Sequence, residues 1–239
     1  MVDRLLPTDF SFEGSFPPLA RRLRLGIVGG GRIAATQATA ARLTDYWEIV
    51  AGALSSDPEK AKSRGEKWFL PGERCYSSYK EMARLEAGRP DGIDAVMVTT
   101  PNHVHYEAAR TFLEAGIDVL CDKPLTNEYS EAADLVRLTR ESGCVFGVCY
   151  VMASFPMVRQ AREMVKDGLI GRVNQIHVEF MQDWMVPDDV AEADHVKWRL
   201  DPAKSGATSC TGDIATHAHH IASFVSGLTM TDLRAEMHV

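Results

Sequence analysis

Apolar positions in this chain come in short, dense runs separated by longer stretches of helical period. The first run, Arg22 to Val28, breaks abruptly into Gly29-Gly30-Gly31, and Arg32 to Leu43 then carries a helix-compatible pattern. Further runs at Glu48 to Leu54, Ile93 to Thr100, Asp118 to Cys121 and Val145 to Tyr150 are nearly continuous and read as strands buried on both faces. A short strand is expected at Arg74 to Tyr76. Between these runs, Ser56-Asp57-Pro58-Glu59 has the spacing of a capping box with proline early in the first turn, which opens a helix to Lys67. Ser78 to Ala87, His103 to Ala115 (closed by Gly116) and Ser130 to Ser142 read as further helices. Strand and helix alternate throughout, which predicts an α/β chain built on a doubly wound parallel sheet. Polar residues collect at the C-terminal strand ends, the edge where such sheets bind ligands.

Past Tyr150 the pattern changes. Pro156 to Asp167 reads as a helix closed by Gly168 and Gly171. Val173 to Phe180 alternates in part, as a half-exposed antiparallel strand does. A long polar loop carries Asp183-Trp184 and Lys197-Trp198-Arg199. A helix opens at Gly212 and runs to Val225, and a last strand is expected from Thr231 to Val239. The organisation read from this is a leader (1–21), a parallel-sheet domain (22–150) and a partial α+β domain with antiparallel strands (151–239).

Composition narrows the function classes. Of 239 residues, 45% are hydrophobic and 25% charged, as in ordinary globular chains. The formal net charge of -7 gives no basic patch for nucleic acid. No apolar run approaches the roughly 20 residues of a membrane span, and the acidic, proline-bearing leader has no signal-peptide core. The five cysteines form no Cys-x-x-Cys, which fits structural thiols in a reducing, cytoplasmic setting.

Strand, glycine turn and helix are the geometry a dinucleotide pyrophosphate needs. Gly29 lets the chain turn sharply, Gly31 lets backbone N–H groups approach the phosphates, and Arg32 and Ile33 open a helix whose first donors are unpaired. Ala34 fills the third glycine position of that fingerprint. A plain ligand-free turn fits the local pattern equally. At the end of the second strand, Ser55 is neutral and Asp57 follows two residues later. Asp57 fits a ribose acceptor and a helix cap equally, so NAD and NADP both stay open, with NAD slightly favoured.

Three further stretches follow in order: Thr99-Thr100-Pro101-Asn102-His103-Val104-His105, Asp122-Lys123-Pro124, and Asp213-x-x-x-His217. With the glycine turn they resemble the Gfo/Idh/MocA family of nicotinamide-dependent oxidoreductases, from about Arg22 to the last residue. The resemblance implies an N-terminal Rossmann domain and hydride transfer between NAD(P) and a hydroxyl or carbonyl of a sugar or polyol. It implies cofactor contacts from Thr100, Asn102, His105, Asp122 and Lys123. It also implies that Lys123 orients and polarises the reacting oxygen, that His217 takes the hydroxyl proton, and that Asp213 binds a neighbouring hydroxyl. The chemistry suits those types, since an alkoxide-like oxygen needs a cation and a base converging on it. Asp213 and His217 lie i, i+4 apart, so both can face one cleft. Tyr150 and Arg199 are the further substrate candidates.

The chain departs from the family pattern in three places. Val151 and Met152 stand where relatives carry a polar residue, and Ala207 to Thr211 is more polar than the usual glycine-rich stretch. Two strands after Tyr150 do not make a stable sheet, so a truncated member is expected, with exposed sheet edges and an open apolar face. A homo-oligomer is expected for a full-length member. Two other readings are a cofactor-binding protein without turnover and, less favoured, a metal-dependent hydrolase using Asp213, His217 and His220.

Overall fold

The computed structural model describes residues 20–183, 194–208 and 210–236. The leader up to residue 19, Trp184, Ser209 and residues 237–239 lie outside the described residues. Five strands, β1 (Leu23–Val28), β2 (Trp47–Ala53), β3 (Ala95–Val98), β4 (Asp118–Cys121) and β5 (Phe146–Val148), form one sheet in the order β2-β1-β3-β4-β5. Every pair is parallel. The expected short strand at Arg74 to Tyr76 reduces to a single parallel bridge, Gly52 to Cys75.

Helices α1 (Arg32–Leu43), α2 (Pro58–Lys67), α3 (Tyr79–Ala87), α4 (Asn102–Glu114) and α5 (Tyr129–Ser142) fill the crossovers. Strand alternation divides the apolar side chains between two faces. Leu25, Ile27, Ala95 and Met97 pack with Ala34, Ala38 and Ala41 of α1. Val28, Val96, Val98, Val119 and Cys121 pack with Met82 of α3, Phe112 of α4 and Leu135 of α5. The small residues on α1 let it lie close to the sheet. On the other face Gly26 lies tight against side chains, a Cβ there standing 2.3 Å from Met82 Cε and 2.8 Å from Ile93 Cδ1, the far ends of flexible side chains. All five cysteines are free thiols.

One buried polar cluster pins α3 to the loop before it. The Arg74 guanidinium and the Glu86 carboxylate form a two-pronged pair, with side chains 5% and 0% exposed. Glu86 also accepts from the Tyr76 hydroxyl (2.7 Å) and from the Ile93 N–H (3.2 Å). Each buried charge is thereby matched, which is the condition for keeping it.

After β5, a 3-10 turn at Val151–Ser154 leads into α6 (Pro156–Lys166), and α7 (Thr216–Ser226) packs on α6. Arg162 of α6 donates to the Phe224 carbonyl of α7 and lies 4.5 Å from the Phe224 ring centroid. The strand expected at Val173 to Phe180 does not form. Those residues pair with no neighbour among the described residues, and Ile176 and Val178 remain about 40% exposed. A strand is stable only beside another, and no other described segment runs alongside this one. Residues 227–236, the start of the other expected strand, are likewise without regular structure. β5 is an edge strand with half-buried side chains, and an apolar groove of about 560 Å³ lies open along Leu120, Gly147 and Val148.

Replacing Arg74 with Met strands the Glu86 charge in the core. The expected loss is about 3–5 kcal/mol, read by urea or thermal denaturation. The Arg74→Met/Glu86→Leu double variant should recover part of it, because it removes both charges.

Candidate functional site

The site forms where the strand ends meet, at the C-terminal edge of the sheet. The turn after β1 is squeezed between its neighbours. Gly29 takes φ +106°, and a Cβ there would lie 2.8 Å from the Thr99 carbonyl oxygen; at Gly30 it would lie 2.1 Å from that of Leu54. Gly31 faces open space, with nothing within 4 Å of a Cβ position. It is the N-cap of α1, has no side chain to cap the helix, and is followed by no acidic residue in the first turn. Arg32 and Ile33 are exposed beside it. Free donors, a positive dipole end and room in front of them suit a pyrophosphate. Gly30 is the requirement the sequence hid, since only the folded position of Leu54 and Arg64 reveals it.

At the end of β2, Asp57 caps α2 by accepting from the Lys60 N–H (3.0 Å). Ser55 Oγ in turn accepts from the Asp57 N–H (3.2 Å). Asp57 thus fills the capping role through one of its two carboxylate oxygens. Arg64 donates to the Leu54 carbonyl at the same place (2.6 Å).

The loops after β3 and β4 supply the centre. Thr100 Oγ1 is buried with no hydrogen-bond partner, as an atom awaiting a ligand group would be. Asn102 is 5% exposed, and its side-chain amide donates to the Ser205 carbonyl (3.0 Å). That bond ties α4 to the helical turn Pro202–Ser205. Lys123 donates to the Asp213 carbonyl (2.8 Å) and to its carboxylate, across 90 residues of sequence. Asp122 accepts from the Lys123 N–H (2.9 Å), and burial pushes its carboxyl above the usual range. Arg199 lies on the other oxygen of Asp213 at 3.8 Å and over the Trp198 ring at 4.4 Å.

Asp213 sits in a widened turn, Thr211–Ala215, with π spacing that leads directly into α7. Such turns recur at functional sites because they redirect side chains without ending the helix. His217, one turn on, is 6% exposed. Its ring meets Tyr150 edge-on (5.7 Å, 87°) and Phe180 (6.1 Å). Burial first, and the Lys123 charge second, push its pKa below 6.5 despite Asp213. Tyr150 also stacks on His220 at 4.2 Å, nearly parallel. Both of these imidazoles therefore pack on one phenol ring, while His219 points outward. No group of three or more metal-ligating side chains gathers among the described residues. A cleft of about 260 Å³ opens beside Asp213, lined also by Asn102, Phe180, Gln182, Trp198 and Arg199.

Lys123, Asp213, His217, Tyr150, Arg199 and Asn102 are thus brought together. His105 is not among the cleft-facing groups. It is 1% exposed, and both ring nitrogens face backbone carbonyls, so direct contact with a cofactor is corrected to an internal position. The expectation failed because a histidine at a strand-end loop looks alike whether it points out or in.

The family description "oxidoreductase family, NAD-binding Rossmann fold" (Gfo/Idh/MocA) matches residues 23–150, and the C-terminal domain of the same family matches residues 158–239. The chain belongs to the Gfo/Idh/MocA oxidoreductase family. An oxidoreductase structure from Sinorhizobium meliloti is 46% identical with TM-score 0.75, over 87% of this chain and 53% of that one. An inositol dehydrogenase homolog complexed with NAD+ from Azotobacter vinelandii is 34% identical with TM-score 0.82, over 87% and 54%. Levoglucosan dehydrogenase of Pseudarthrobacter phenanthrenivorans is 27% identical over 87% of this chain and 52% of its own length. The chain spans about half the length of the curated relatives it matches. The N-terminal part of this Gfo/Idh/MocA chain is an NAD-binding Rossmann domain, and the squeezed turn and open α1 N-terminus lie within it.

The glycines separate binding from folding. Gly31→Val should leave the melting temperature nearly unchanged, because its Cβ points into open space. It should weaken NADH binding at least about tenfold by filling the phosphate approach. Gly30→Ala should lower both, since the Leu54 carbonyl has to move. NADH fluorescence titration and thermal denaturation of the two variants check this.

Proposed function

We propose that this chain carries the catalytic site of an NAD(P)-dependent oxidoreductase acting on a CH–OH group of a sugar or polyol. The observation that carries the reading is the clustering of Lys123, Asp213 and His217 at the C-terminal edge of the sheet, with Asp213 on the wall of the adjoining cleft. The inositol and levoglucosan dehydrogenases among the relatives support the substrate class. The NAD+ complex of one of them supports NAD as the cofactor.

A bound nicotinamide supplies the hydride acceptor or donor. Lys123 presents an ammonium group with three N–H donors, two of which are held by the carbonyl and carboxylate of Asp213. The third serves the reacting oxygen and stabilises charge as it develops there. Asp213 fixes the direction of that donor and, with its second oxygen, accepts from a neighbouring hydroxyl. His217 takes the hydroxyl proton. A depressed pKa keeps its ring neutral near pH 7, which is the form a base needs. Tyr150 holds the His217 ring edge-on, and Arg199 with Trp198 closes the far side of the cleft.

Lys123→Met should lower kcat by at least about 100-fold while leaving NADH binding within a few-fold, measured with myo-inositol and levoglucosan as substrates. Tight NADH binding with no turnover of any polyol would favour a binding protein instead. For the oxidation direction, protonating His217 removes the base, so kcat/KM should fall as pH drops. The acid limb should lie below the ordinary histidine value of 6.5. A limb above that value would place the proton acceptor elsewhere.

A further inference from the structure

His105 makes contacts that the reading of Lys123 as the oxygen-binding cation leaves unexplained. It lies in the first turns of α4, 1% exposed, at the junction of two strand-end loops. Its Nδ1 stands 2.8 Å from the Pro124 carbonyl and its Nε2 stands 2.8 Å from the Thr100 carbonyl. Pro124 follows Lys123 directly, and Thr100 closes the loop after β3. We infer that His105 is a positioning residue that ties the β4 loop to the first turn of α4 through the Pro124 carbonyl and so sets Lys123 against Asp213.

The donor inventory makes the clasp selective. A ring with its proton on Nδ1 ties Pro124, one with its proton on Nε2 ties Thr100, and the imidazolium ties both. Burial pushes the His105 pKa below the ordinary imidazole value, so the ring is held neutral and its single proton ties one carbonyl at a time. Buried carbonyls left without a donor are costly, so an apolar side chain of similar size cannot replace the ring silently.

The clasp belongs to a closed circuit. Asn102, one turn earlier on α4, donates to the Ser205 carbonyl. Asn127, just past Pro124, donates to the Lys204 carbonyl at 3.4 Å. Lys123 reaches Asp213. The first turns of α4 thus hold both the lysine loop and the segment that supplies the lysine's partner. Lys123 has one backbone-anchored neighbour on its C-terminal side, Pro124, and His105 is what holds that carbonyl.

This proposal rests on the oxidoreductase reading only for its consequence, and its test needs no turnover. The 239-residue chain is treated briefly with acetic anhydride, and acetylation of each lysine is followed by mass spectrometry in the wild type, His105→Phe and His105→Gln. Asp213→Asn gives the reference rate for a released Lys123. His105→Phe should acetylate Lys123 about two- to tenfold faster than wild type, the range that one hydrogen bond's worth of holding corresponds to. Lys60, Lys80 and Lys166 should keep their wild-type rates. His105→Gln, which retains one donor, should fall between. A wild-type rate at Lys123 in either folded variant overturns the proposal, and so does an equal acceleration at every lysine. Loss of turnover in Lys123→Met speaks to the oxidoreductase reading alone.

Discussion

β1 runs inside the sheet between β2 and β3, and at its end the chain is trapped between these two neighbours. The Thr99 carbonyl on the β3 side and the Leu54 carbonyl on the β2 side leave room for nothing larger than hydrogen at Gly29 and Gly30. The turn must therefore be made there, and α1 must start where it does. Because all the strands are parallel, every other strand-end loop emerges at the same edge. The loops of Thr100 to Asn102 and Asp122 to Pro124 are placed beside the glycine turn by the same constraint. The location of the site is in that sense a property of the sheet.

The second part of the chain is joined to this edge by polar contacts. Lys123 to Asp213, Asn102 to Ser205 and Asn127 to Lys204 all bridge from the sheet's loops to the segment after Tyr150. Apolar packing in that segment is local, between α6 and α7 and around the aromatic stack of Tyr150, His220 and Phe224. Charged and hydrogen-bonded contacts at such a junction are directional, so they fix geometry where apolar contacts would tolerate sliding. A lysine that must point at one atom is well served by partners of that kind.

Burial does different things to the titratable groups here. In the Arg74, Glu86 and Tyr76 cluster it is matched by partners on every side, and the result is a static pin. At His217 it is set against aromatic faces, with the Lys123 charge adding to it and Asp213 opposing, and the net push favours the neutral ring. The same solvent exclusion holds a charged pair in one place and a neutral imidazole in the other, depending on how directly a counter-charge is bonded to the group.

Local chemistry alone determined much of this protein. The apolar runs, the glycine turn, the Asp57-Pro58 helix start and the helix-closing Gly116 set the order of strands and helices, because each acts within a few residues. The identities of Lys123, Asp213 and His217 stood out through their spacing and order. Tertiary structure decided what those patterns could not. The segment 173–180 has a strand's alternation but no neighbour, and a strand without a ladder is only an extended chain. His105 turned inward, because two carbonyls from distant loops met its ring. The need for Gly30 came from an oxygen 24 residues away in sequence. In each case the deciding atom lay beyond the reach of any sequence window, and only the folded sheet brought it within contact distance.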